Sequence, residues 1–102
     1  MSMTIWAETT VSAAHKFMDH PIHGHTYHVR VYIDGEVDAE EFLEYLRDLR
    51  KRVDHKYLND IFEVPSMENL ARWFAAEVCK QYNVKEVAIT RGEGVGCRLV
   101  IS

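Results

Sequence analysis

The strongest constraint on this chain is a change of period. From residue 5 to residue 15, Ile5, Ala7, Thr9, Val11, Ala13 and His15 fall on one face of an extended chain, with Glu8, Thr10 and Ser12 on the other. Residues 25 to 33 repeat the pattern: His25, Tyr27, Val29, Val31 and Ile33 share one face, and His28, Arg30 and Asp34 the other. Alternation with a period of two predicts two half-buried strands, the second ended by Gly35. After Asp38 the period lengthens. Phe42, Tyr45, Leu46, Leu49 and Val53 recur every three or four residues, which predicts an amphipathic helix over 39–53 with Asp38 as its N-cap. A loop with Asn59, Asp60 and Pro65 follows, and Ser66 caps a second helix. Glu68 stands in its first turn, where a carboxylate suits the helix dipole. Its buried stripe is Leu70, Ala71, Phe74, Ala75 and Val78, fading near Tyr82 and Asn83. Residues 84–90 and 97–101 predict two last strands.

The resulting order, β-β-α-α-β-β, lacks the βαβ rhythm of parallel sheets. It predicts an α+β fold: a mostly antiparallel four-stranded sheet with both helices on one face. A length of 102 residues fits one domain over 1–102. The second sheet face is left bare, and in so small a chain another copy covers it most economically, so a homo-oligomer is expected.

Composition narrows the function classes. No run approaches the roughly 20 apolar residues of a membrane span, and Met1 to Ala7 lack the pattern of a signal peptide, so a cytoplasmic protein with no membrane partner is expected. A net charge of −4 gives no basic face for nucleic acid. The one basic cluster, Arg47, Arg50, Lys51 and Arg52, is interleaved with Glu40, Glu41, Glu44 and Asp48 and reads as a solvated helix face. Cys79 and Cys97 form no CxxC pair and read as packed residues rather than nucleophiles.

The unusual feature is histidine: five of the six lie between His15 and His28. In His23-Gly24-His25 the strand period puts both imidazoles on one face, and His15 ends the neighbouring strand on the same parity. Three neutral imidazoles with no cysteine beside them suit an open three-ligand zinc site, its fourth position left for water or substrate. The plainer reading is packed or surface histidines without a metal. His28 points the other way and His20 sits in the connection, so neither is read as a ligand. At the end of the first helix, Asp54 opposes the dipole and asks for a reason. Either Asp54 and His55 cap the helix and face water, or the carboxylate orients a basic imidazole. Gly92-Glu93-Gly94-Val95-Gly96 lacks a phosphate-loop ending and runs strand to strand, so a hairpin is expected.

Four segments then occur together in order: Val11-Ser12-Ala13-Ala14-His15, His23-Gly24-His25-Thr26-Tyr27, Val53-Asp54-His55-Lys56-Tyr57-Leu58-Asn59-Asp60 and Pro65-Ser66-Met67-Glu68-Asn69-Leu70-Ala71. In these the chain resembles the 6-pyruvoyl-tetrahydropterin synthases, including the 6-carboxytetrahydropterin synthases of the queuosine and archaeosine route. The resemblance covers nearly the whole chain. It implies the T-fold, whose subunits assemble into a barrel, commonly as trimers paired into hexamers. It also implies Zn2+ held by His15, His23 and His25, with Asp54 and His55 as the acid-base pair. The implied reaction is a lyase step on 7,8-dihydroneopterin triphosphate, giving a 6-pyruvoyl- or 6-carboxy-tetrahydropterin. Two positions depart from the family. Met18-Asp19-His20 stands where the family has a catalytic Cys, so Asp19 (or His20) is the candidate replacement base. Ile89-Thr90 stands where a Glu-Thr pair holds the pterin ring, leaving Thr90 and Glu93 as candidate substrate-binding residues. These departures keep two alternatives open: a zinc-binding T-fold protein that binds a pterin-like heterocycle without this catalysis, and an enzyme acting on a different pterin.

Overall fold

The computed structural model describes residues 1–16 and 18–101. The elements are β1 (Thr4–His15), β2 (His23–Asp34), α1 (Ala39–Arg50), α2 (Met67–Val78), β3 (Val84–Arg91) and β4 (Gly96–Val100), with a 3-10 turn at Leu58–Asp60. The strands form one antiparallel sheet in the order β1-β2-β3-β4. The two helices lie between β2 and β3 in the chain and pack on one face, α1 over β1 and α2 over β3, β4 and part of β2. This is the α+β architecture that the change of period predicts.

Each helix starts where its cap is encoded. The Asp38 side chain accepts from the backbone N–H groups of Glu40 and Glu41, and the Ser66 hydroxyl accepts from that of Asn69. The end of α1 is three residues earlier than the spacing of Val53 suggests. Val53 N donates to Arg50 O, three residues back, so the chain tightens into turns while Val53 itself stays fully buried.

The core fills the space between helices and sheet. Val11, Tyr27, Val29, Val31, Ile33 and Ile89 from the strands meet Phe42, Leu46, Leu70 and Phe74 from the helices, with Leu58 from the 3-10 turn. In the β1–β2 register His15 faces His23 and Ala13 faces His25, so the buried row of the sheet ends in histidines. The helix-free face is mixed: Arg30 stacks 3.8 Å over the exposed Trp6 ring and its Nε donates to Glu8 at 3.1 Å.

The segment after α1 covers part of the outer edge of β1. His55 N donates to Ser12 O at 2.6 Å, Ala14 N donates to Lys56 O at 3.2 Å, and Ala14 and Tyr57 form a parallel bridge. Arg50 takes the Thr10 carbonyl at 3.0 Å. Just beyond β1, the Asn59 side chain binds both the N–H and the carbonyl of Lys16, at 2.8 and 2.9 Å.

Candidate metal centre and active site

The strand pairing brings His15, His23 and His25 together, one ligand nitrogen of each lying within 4.8 Å of the other two. Their other nitrogens are held. His15 Nδ1 donates to the Pro65 carbonyl at 2.9 Å, just before the Ser66 cap of α2, and His23 Nδ1 donates to the Pro21 carbonyl at 2.8 Å. His25 Nδ1 donates to Glu93 Oε1 at 3.1 Å. With Nδ1 protonated, each ring presents Nε2 as its lone pair. Nε2 of His15 and Nε2 of His23 stand 3.1 Å apart. Two lone pairs repel at that range unless a cation lies between them, and metal–nitrogen bonds of about 2.0–2.1 Å in a tetrahedral site place two ligand nitrogens at about this separation. The donor set therefore fits a divalent metal. His15 is buried, and burial lowers its pKa despite the opposing Pro65 carbonyl, with His23, His25 and Arg91 adding to the shift; the ring is kept in the neutral form a ligand requires.

Two clefts meet at His15. One, of about 340 Å³, is lined by His15, His20, His23, His25 and Arg91. The other, of about 290 Å³, is lined by His15, Tyr27, Ser66, Met67, Glu68, Arg91 and Val95. Asp19 lies exposed in the turn before His20, and of these two His20 is the one that lines the cleft. Ile89 is fully buried, and Thr90 turns to the helix-free face, opposite His28, so the structure does not bring Thr90 to the clefts. Glu93 reaches the site as a hydrogen-bond partner of His25; its own backbone N–H, then His25 and Arg91, hold its carboxyl below the usual range. Gly94, with φ of +83°, makes the hairpin turn that carries it, and a Cβ on Gly96 would lie 2.5 Å from the Ile89 carbonyl oxygen. Arg91 escaped the sequence reading. Its parity with Val87 and Ile89 was the available signal.

Asp54 and His55 form the second constellation. His55 Nδ1 donates to Asp54 Oδ2 at 2.8 Å, while Asp54 Oδ1 accepts from Ser12 N at 2.8 Å and Oδ2 from Arg50 Nη1 at 3.2 Å. Partial burial would raise the Asp54 pKa, but the Ser12 N–H, His55 and Arg50 outweigh it and keep the carboxyl below its ordinary value. His55 has a φ of +57°, uncommon for a residue with a Cβ, and its ring is exposed with Nε2 turned from the carboxylate. The carboxylate that opposed the helix dipole thus has its reason: it anchors the β1 edge and orients an imidazole. A groove of about 530 Å³ runs between the segment of His55, Lys56 and Tyr57 and the ends of β1 and β2, with Ser12, Ala14, Gly24, His25 and Thr26 in its wall. Neither His55 nor Asp54 lines the clefts at His15.

The profile of the 6-pyruvoyl tetrahydropterin synthase family matches residues 4–99. This chain belongs to that family. A protein of Archaeoglobus fulgidus, named as a candidate 6-carboxy-5,6,7,8-tetrahydropterin synthase, is 33% identical over 103 aligned positions, covering 89% of this chain and 90% of its own. The dihydroneopterin monophosphate aldolase of Pyrococcus furiosus is 27% identical over 88 positions, 76% of this chain and 77% of its own. Among solved structures, the Caenorhabditis elegans 6-pyruvoyl tetrahydropterin synthase superposes with a TM-score of 0.83 at 19% identity, covering all of this chain and 97% of the other. The Plasmodium vivax 6-pyruvoyltetrahydropterin synthase, solved with its catalytic glutamate replaced, gives 0.73 at 15% identity over 97% of each chain. The fold of this family member is the tetrahydropterin-synthase T-fold, and the two curated relatives are named for pterin reactions, one a synthase and one an aldolase.

Proposed function

We propose that the chain is a zinc-dependent lyase acting on 7,8-dihydroneopterin triphosphate to give a 6-pyruvoyl- or 6-carboxy-tetrahydropterin. The observation that carries this reading is the cluster of three Nε2 atoms, two of them backed by backbone carbonyls and one by a carboxylate, at the meeting of two clefts in a chain of this family. Bound there, zinc would act as a Lewis acid on the side-chain oxygens of the pterin. His15, His23 and His25 would hold it. His20, on the cleft wall, and Asp19 beside it are the groups available to take a proton where the family uses a cysteine. The P. vivax enzyme uses a glutamate as a catalytic residue, which supports a carboxylate or imidazole in such a role.

Asp54 and His55 would move the second proton: the carboxylate fixes the tautomer, and Nε2 accepts. Because neither residue lines the clefts at His15, the reading has copies pack so that the pair of one chain meets the clefts of another. A homo-oligomer is thus part of the proposal, as is Zn2+.

A second reading follows from two observations, the replacement of the cysteine by Met18-Asp19-His20 and the P. furiosus relative: action on a different phosphorylated pterin. The two separate when the zinc-loaded protein is given dihydroneopterin triphosphate and monophosphate in parallel. Loss of inorganic triphosphate supports the first reading. Aldehyde release from the monophosphate supports the second. Pterin binding with neither reaction leaves a binding protein, and no binding at all overturns all three.

A further inference from the structure

We infer that Arg91 is an anion receptor built into this site, recognising the phosphate of a phosphorylated ligand beside the histidine cluster; the inference deepens the pterin reading and rests on it. Arg91 ends β3 opposite Tyr27, on the helix-covered face, and lines both clefts that meet at His15. It is the only Lys or Arg among the described residues that line them.

Its hydrogen bonding is unfinished in a particular way. Nη1 donates to His25 Nε2 at 3.3 Å. His25 commits its Nδ1–H to Glu93, so Nε2 is the nitrogen it offers to the cluster. One lone pair cannot serve both a guanidinium N–H and a metal ion, and two cations at one nitrogen repel. When the cluster holds a cation, this N–H of Arg91 therefore needs another acceptor. The Arg91 Nε is buried and makes no hydrogen bond. The nearest carboxylate oxygen, Glu93 Oε2, stands 3.5 Å away on an exposed hairpin whose other oxygen serves His25.

A guanidinium is planar, always charged and presents its N–H groups as a fork. With Nη1 on a contested acceptor at the cleft wall and Nε without a partner behind it, the guanidinium suits an anionic oxygen of a ligand in the cleft, as in a phosphate. The aldehyde-forming or triphosphate-releasing substrates considered above both carry one. Arg91 would thus distinguish phosphorylated from dephosphorylated pterins, a selectivity that the His cluster itself does not provide.

Equilibrium binding of the fluorescent, unreactive pterins neopterin and neopterin triphosphate to the zinc-loaded protein tests this without turnover. The intact chain is expected to prefer the triphosphate by at least about tenfold, the effect of one hydrogen bond between charged groups. Arg91→Gln should bind both alike, and Arg91→Lys should recover part of the preference. Uptake of one Co2+ per chain, read from its visible absorption, reports whether Arg91→Gln keeps the site; if it does not, Arg91→Met is read in its place. An unchanged preference in the neutral variant, or none in the intact chain, overturns the role of Arg91 while pterin binding survives. Binding of neither pterin by a metal-loaded intact chain overturns the pterin reading, and this inference with it.

Discussion

Burial disfavours the imidazolium form of His15; the Pro65 carbonyl opposes that shift, but His23, His25 and Arg91 reinforce it, and the pKa falls below the ordinary histidine value. The sign follows from linkage. A folded pKa below the unfolded one contributes stability above about pH 6.5, and that contribution is lost as pH falls toward the folded value. The melting temperature of metal-free protein should therefore fall as pH drops below about 6.5, and His15→Gln should flatten that slope; an equal slope in both proteins would contradict it. Asp54 carries the other residue-scale prediction. Asp54→Ala leaves the Ser12 N–H without its acceptor and should cost about 1–3 kcal/mol in urea denaturation. Asp54→Asn retains an acceptor and should cost less. Because the Asp54 pKa is lowered, the difference between wild type and Asp54→Asn should be full at pH 6 and shrink as pH falls from about 4 through the folded pKa. The three histidines were legible in the sequence because strand parity is a local property. The Pro65 carbonyl that holds His15 was not: it is a backbone atom 50 residues away, which no side-chain pattern announces.

At the scale of elements, the β3–β4 hairpin joins fold and site. Gly96 lies so close to the Ile89 carbonyl that a Cβ needs the two strands to part, and Gly94 supplies the positive φ of the turn. Gly96→Ala should cost about 1–3 kcal/mol, in line with other overpacking changes, and lower the melting temperature by several degrees. Gly92→Ala meets no atom within 4 Å and serves as the control. Both helix starts could be read from the sequence, since an N-cap is a side chain at a fixed offset from the first turn. The end of α1 could not, because Val53 keeps the helical spacing while the backbone tightens beneath it. Glu93 is a candidate substrate-binding residue from the sequence; that the hairpin also brings it to His25 depends on the turn that Gly94 and Gly96 permit, which spacing alone does not fix.

For the whole molecule, the order of elements sufficed to predict the sheet and its helix-covered face, because a chain without βαβ units has few other ways to bury two amphipathic helices. What it did not reveal was that the Asp54–His55 pair stands off the clefts at His15, with His55 on a separate groove that meets the histidine cluster at His25. That arrangement predicts complementation. His23→Ala should lose metal and turnover; His55→Ala should keep metal and lose turnover. Unfolded together and reassembled, the two should recover up to about one quarter of wild-type activity, since random mixing joins an intact cluster to an intact pair at that fraction of interfaces. Recovery of none would place both constellations in one chain's site. The covered edge of β1 carries a further consequence. With Thr10 O taken by Arg50, and Ser12 and Ala14 by the segment around His55, the stretch from Thr4 to Thr9 is what remains of this edge, among the described residues, for a strand from elsewhere. A newcomer sliding along that edge meets a built-in stop, so one short segment acts as a ruler for the alignment of any neighbouring strand.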